Sequence, residues 1–138
     1  MTTTGYSGTP LAKKLGIKSG FEVLILNAPT SYLSFFNDFP SDVQLIEDDL
    51  FKGEVDFIHL FATSEDELTT YFKTAKSTLK KSGMLWISWP KKTSKILTTI
   101  EKFDVMKYGL KMGLVDVKVA AINSDWSGHK FVYRKTDR

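Results

Sequence analysis

Apolar residues gather in six short runs, separated by one-sided or turn-rich stretches, and this alternation predicts the fold. FEVLILNA (21–28) has a continuous apolar centre from Val23 to Leu26, which predicts a strand covered on both faces. VQLIE (43–47), VDFIHLFA (55–62), MLWISW (84–89), VDVKVAAI (115–122) and HKFVYRK (129–135) predict five more strands. Between them, Leu68, Phe72, Ala75 and Leu79 recur at spacings of four, three and four, the stripe of a helix with one buried face. Ser64 and Glu67 supply its reciprocal N-terminal cap, Lys80 and Lys81 complement its C-terminal dipole, and Gly83 ends it.

Three further helices follow from weaker signals. Thr9-Pro10 opens LAKKLGI as cap and first residue, with Gly16 as the left-handed stop. Pro29 to Asn37 presents Tyr32, Leu33 and Phe36 on one side. Ile96, Ile100, Phe103, Met106 and Leu110 predict a helix with Gly109 as its weak point, closed at Gly113. Strands alternating with helices imply right-handed crossovers and a parallel sheet, whereas the last two strands are joined by a short loop and must run antiparallel. The expected architecture is α/β: a three-layer sandwich around a mainly parallel six-stranded sheet with a C-terminal antiparallel strand.

This plan resembles a shortened class I methyltransferase-type Rossmann fold, and the resemblance implies the strand order 2-1-3-4-6-5. At 138 residues the chain is expected to be a single α/β domain, 1–138. It contains no cysteine and two histidines seventy positions apart, which removes thiolate chemistry and any recognisable zinc motif, so no metal site is expected. The opening MTTTGYSGTP lacks the basic and apolar regions of a secretory leader, and no apolar run is long enough to span a membrane; a cytoplasmic location is the expectation. The formal charge of +3 is uneven: residues 1–90 carry −3 and residues 91–138 carry +6. Such a field attracts anions, but with only two arginines to fork onto bases or phosphates it disfavours nucleic acid as the partner.

A nucleotide or adenosyl site needs backbone close to the ligand after the first strand, where glycines usually gather. Here that turn reads Asn27-Ala28-Pro29-Thr30-Ser31, and no glycine occurs between Gly20 and Gly53. Ala28 adds a methyl and Pro29 removes an amide donor, so the turn is unsuited to the usual phosphate cradle. Glu47, at the tip of the second strand, occupies the place of a ribose-binding acid, though a solvated strand-end carboxylate reads the same way. Asn27 and Thr30 border the crevice where open sheets bind ligands.

Trp86 and Trp89 are three apart in one strand and so face opposite sides of the sheet. Trp89 stands at the C-terminal edge beside Pro90-Lys91-Lys92-Thr93-Ser94, where an aromatic platform, Lys91, Lys92 and the Ser94 hydroxyl are candidate anion ligands. Asp116 and Lys118 alternate with valines, which places both charges on one face, with Lys130 a possible neighbour. Trp126, on the turn Asp125-Trp126-Ser127-Gly128, and Lys130 are candidate partner contacts. His59, within an apolar strand, reads as a satisfied core group, and no catalytic constellation can be assembled.

Four segments, GYSGTPLAKKLGI (5–17), VLILNAP (23–29), LWISWPKKTS (85–94) and GLVDVKVAAINSDWSGHKFVYR (113–134), together resemble the bacterial domain-of-unknown-function family numbered 3052. The resemblance implies that Tyr6, Ser7, Lys13, Lys14, Asn27, Trp89, Lys91, Lys92, Ser94, Asp116, Lys118, Trp126 and Lys130 matter to such proteins. It implies no activity and no cofactor. The expected function is a non-catalytic binding domain for a small anionic ligand or a protein partner. The alternative is a divergent nucleotide- or S-adenosylmethionine-binding enzyme. The sequence leaves monomer and edge-strand homodimer both open.

Overall fold

The computed structural model describes residues 8–138. Six strands form one mixed sheet in the order β2-β1-β3-β4-β6-β5, as the resemblance to a methyltransferase-type Rossmann fold implies. They are β1 (Glu22–Leu26), β2 (Gln44–Ile46), β3 (Val55–Phe61), β4 (Leu79–Pro90), β5 (Leu114–Ala121) and β6 (Trp126–Tyr133). β1 pairs in parallel with β2 and β3, and β3 with β4, while β6 runs antiparallel to both β4 and β5.

Each face of the sheet carries its own core. On one side α2 (Glu65–Thr78) and α3 (Lys102–Lys111) cover the strands, burying Leu68, Phe72 and Val105 against Leu60, Ile87 and Phe131. On the other, α1 (Leu11–Leu15) and a single 3-10 turn at Tyr32–Phe35 bury Leu15, Tyr32 and Phe36 against Ile25, Phe61, Trp86 and Trp126. Each of these large apolar side chains contributes about 1.5–3 kcal/mol when removed from water. Trp86 and Trp89 fall in opposite cores, as their spacing requires.

Four local expectations are corrected. The segment 29–37 makes only the 3-10 turn, because Pro29 and Pro40 bracket too few residues and Asn27 has already turned the chain with φ +57°. α2 ends at Thr78, so Lys80, Lys81 and Gly83 belong to β4; Lys80 pairs with Asp56 at 2.9 Å instead of capping a helix. Ser64 Oγ accepts from the Glu67 amide as expected, but Glu67 returns one residue further out, to the Thr63 amide at 2.7 Å. At α1 the carboxylate of Asp38 receives the Ala12 and Lys13 amides, a long-range cap that local sequence does not reveal, while Gly16 takes the expected left-handed stop.

α3 is the largest correction. It begins at Lys102, not Ile96, and turns Val105 and Gly109 inward. Phe103 of the predicted stripe is 63% exposed and Leu97 is 90% exposed. In β5 the register shifts between Asp116 and Lys118, so the two charges face opposite sides of the sheet despite their spacing of two. Asp116 meets His129 at 3.3 Å on the α3 side, and Lys118 leans over the Trp86 ring on the other.

Candidate functional site

The first place to seek a ligand in such a sheet is the crevice between β1 and β3, where the strand order reverses. Asn27 stands there in the left-handed conformation, a role that a phosphate-cradling turn gives to glycine. Its amide nitrogen donates to Phe61 O at 2.9 Å, a stitch across the ends of the two strands. The space left over is a hollow of about 210 Å³ lined by Ile25, Asn27, Ala28, Glu47, Asp49 and Tyr71. Two carboxylates line it, and burial followed by the negative charges of Asp49 and Glu67 pushes the Tyr71 hydroxyl above its ordinary pKa. It is smaller than the roughly 300 Å³ at which drug-sized ligand pockets begin. The structure thus brings Asn27 and Glu47 together, and leaves Thr30 on the exposed turn beyond.

A larger groove, about 560 Å³, opens at the C-terminal end of β4. Trp89, Pro90 and Lys91 line it from β4 and its exit, Val119 and Ser127 from β5 and β6, and residues 98–103 form the facing wall. Its apolar lining is Trp89, Ile100, Phe103 and Val119; its charged rim is Lys91, Lys92, Lys102 and Glu101. Trp89 is only 5% exposed, so it is a floor packed into the core instead of a free platform.

The facing wall continues an irregular strap, residues 91–101, that is fastened at both ends. At one end the Lys91 amide donates to Asp125 O at 2.8 Å and the Ser94 hydroxyl to Asp125 Oδ1 at 2.9 Å. At the other the Thr99 amide donates to Thr63 O at 2.9 Å, with the Thr98 hydroxyl 3.1 Å from the same carbonyl. Asn123 Oδ1 in turn receives the amides of Asp125 and Trp126, fixing the anchoring loop. Ser94 therefore holds the strap and does not line the groove. Lys92 Nζ lies 3.4 Å from Glu101 Oε1, both well exposed, so the pair is easily exchanged for another anion.

Trp126 is 8% exposed and packs edge-on to Phe61 at 4.9 Å, inside the α1-side core and not on the surface as its turn suggests. Lys130 is half-buried on that same side, opposite Trp86 in β4. Sequence reasoning missed Ile100, Phe103, Val119 and Ser127 as groove residues. The signal for Phe103 was present, a large apolar side chain followed by polar Asp104, but the stripe was aligned to the wrong face.

Two histidines sit in the sheet without access to solvent. His59 lies between Tyr32 and Ser88, with Nδ1 2.9 Å from Tyr32 Oη and Nε2 2.7 Å from Ser88 Oγ; all three residues are buried. Burial lowers the His59 pKa to about 3, so the ring is neutral and structural. His129 stacks on Phe131 beneath the groove, 6.5 Å from Trp89; burial lowers its pKa too, against the raising influence of Asp116. Among the described residues no group of three metal-ligating side chains converges, and no helix is long and apolar enough to cross a membrane. Tyr6 and Ser7 lie outside the described residues.

The sequence model of a family described as "Protein of unknown function (DUF3052)" matches residues 40–135. No curated protein sequence matches the chain. Among solved structures, the chain is similar to a SAM dependent methyltransferase from Aquifex aeolicus, at 15% identity over 87% of this chain and 86% of that one, with a TM-score of 0.63. It is also similar to a TehB-like SAM-dependent methyltransferase from Corynebacterium glutamicum, at 12% identity over 88% and 85%, with a TM-score of 0.56. A third, the ribosomal protein L11 methylase from Lactobacillus delbrueckii, gives 8% identity over 88% and 74%, with a TM-score of 0.58. These likenesses identify the fold as methyltransferase-like.

Proposed function

The chain belongs to the DUF3052 family, and from that premise we propose that it is a non-catalytic binding domain on a methyltransferase-like scaffold. Its ligand is a small organic anion with an apolar body, held in the Trp89 groove. The observation that carries this reading is the contrast between the two openings of the sheet. The crevice that would take an adenosyl tail is stitched by Asn27 to Phe61 and reduced to about 210 Å³. The groove at β4 offers about 560 Å³, within the range that accommodates a small molecule. Its Trp89, Ile100 and Phe103 accept an apolar body, and Lys91 and Lys92 accept the charge.

Among the residues lining the groove the one carboxylate is Glu101, which is exposed and paired with Lys92. The nearest histidine, His129, is buried beneath the floor with its pKa lowered. The lysine ammonium groups bind and orient an anion by charge, and the fastened strap supplies a wall that is already in place before binding, which reduces the ordering cost.

Calorimetric titration with phenyl phosphate, benzoate and S-adenosylhomocysteine tests the reading. Phenyl phosphate and benzoate are expected to bind, with a change in Trp89 fluorescence, and Lys91→Gln/Lys92→Gln is expected to abolish both responses. Binding of S-adenosylhomocysteine alone, lost in Glu47→Gln, would overturn it in favour of the second reading, a divergent adenosyl-binding protein. That second reading is favoured by one observation, the presence of Asn27 and Glu47 in the same hollow.

A further inference from the structure

On the side of the sheet away from the groove floor, Lys118 of β5 and Lys130 of β6 are direct cross-strand partners. Side chains so placed have their Cβ atoms about 4.5–5.5 Å apart, and like charges in that position are destabilising. Among the described residues neither lysine has a carboxylate within ion-pair distance. Lys118 is held in place: its Nζ donates to Lys14 O at 3.2 Å and lies 5.9 Å from the Trp86 ring centroid. Lys14, across from it on α1, donates its own ammonium to Ala121 O at 3.0 Å. Lys130 is half-buried.

We infer that this face binds a multivalent phosphate-type anion, a di- or triphosphate group, between the ammonium groups of Lys118 and Lys130, with Lys18 beside them. The face carries positive charge that no carboxylate among the described residues offsets. The register shift at Val117 rotates Lys118 onto the side of Lys130 and away from Asp116, the one carboxylate of β5. Two lysines thereby share one face of the sheet, where a single anion of charge two or more satisfies both. Burial, then the positive charges of Lys118 and Lys18, lowers the Lys130 pKa; burial, then Lys118 and Lys91, does the same for Lys14. The cluster is compact and without arginine among its members, which suits one small anion better than the extended track of a nucleic-acid backbone.

Calorimetry of the full chain with orthophosphate, pyrophosphate and tripolyphosphate at low salt tests the site. Affinity is expected to rise in that order, to weaken with added salt, and to fall at least about tenfold (about 1.4 kcal/mol) in Lys118→Gln/Lys130→Gln. Lys111→Gln, on the opposite side, is expected to leave it unchanged. Ligand-free Lys130→Gln is expected to melt higher than the parent chain, since a repulsion is relieved. No binding of tripolyphosphate at millimolar concentration would overturn the inference, as would binding that survives the double substitution. Binding of a nucleic-acid duplex without any response to tripolyphosphate would overturn it too. The groove variant Lys91→Gln/Lys92→Gln, tested with phenyl phosphate, keeps failure of this site distinct from failure of the groove.

Discussion

A Cβ atom added to Gly109 would stand 2.2 Å from Cε2 of Phe131, a ring that is fully buried. α3 lies on the sheet at this point because one residue lacks a side chain. Helix propensity alone would make Gly109→Ala stabilising by up to about 1 kcal/mol. The steric demand decides the sign: overpacking of this kind costs about 1–3 kcal/mol. Gly109→Ala is therefore expected to lower the denaturant midpoint, and an unchanged or raised midpoint would show that α3 can lift away from β6.

The Tyr32–His59–Ser88 chain joins the turn after β1 to β3 and β4. Tyr32→Phe preserves the ring contacts with Phe36 and Phe61 but leaves His59 Nδ1 buried without a partner. The expected loss is about 1–3 kcal/mol of stability in urea unfolding, with the folded spectrum retained.

Both buried histidines bind protons less readily in the folded chain than in the unfolded one. The unfolded state then takes up protons as the pH falls below about 6.5, and stability falls with it. For His59 the loss continues towards pH 3, at about 1.4 kcal/mol per pH unit. Urea midpoints are expected to hold from pH 7.5 to about 6.5 and to decline from there to pH 4, and a flat profile would mean that neither ring is shielded from water.

Asn27 offers a comparison between two substitutions. Asn27→Gly keeps the left-handed turn at little cost and loses the bond to Phe61 O, about 1 kcal/mol. Asn27→Ala loses the same bond and adds roughly 1–2 kcal/mol of backbone strain. Thermal melts are expected to rank parent, glycine and alanine in descending order. With the stitch removed, the glycine variant is also the one expected to gain affinity for S-adenosylhomocysteine in calorimetry.

Phe103 separates stability from binding. It is 63% exposed at the groove wall, so Phe103→Ser is expected to change unfolding free energy by no more than about 0.5 kcal/mol. Phenyl phosphate affinity is expected to fall severalfold in the same protein. Equal affinity in the two proteins would remove Phe103 from the groove's contact surface.

The strands were legible because they are either continuously apolar or separated by strong punctuation, and the order β2-β1-β3-β4-β6-β5 came from the likeness of the plan to a methyltransferase-type Rossmann fold. α3 was misread because Ile96, Phe103 and Leu110 keep helical spacing while the pairing of Gly109 with Phe131 sets the buried face. Sequence does not display that the smallest residue marks the closest approach. Asp116 and Lys118 were placed together by a period of two that one bulged residue breaks. At the candidate site, Trp89, Lys91 and Lys92 were found from the strand edge they follow. Phe103, Val119 and Ser127 were not, since they reach the groove from segments that meet only in three dimensions.

The irregularity at Val117 has a wider effect. β5 is the outermost strand on its side, and it carries Val117 and Val119 outward, 50% and 47% exposed. An unbroken ladder there would be a template for another chain, the usual beginning of fibrous growth. The bulge interrupts the spacing such an added strand would need, and at the far margin β2 is only three residues long. Stacking of copies margin to margin is thus discouraged at both ends.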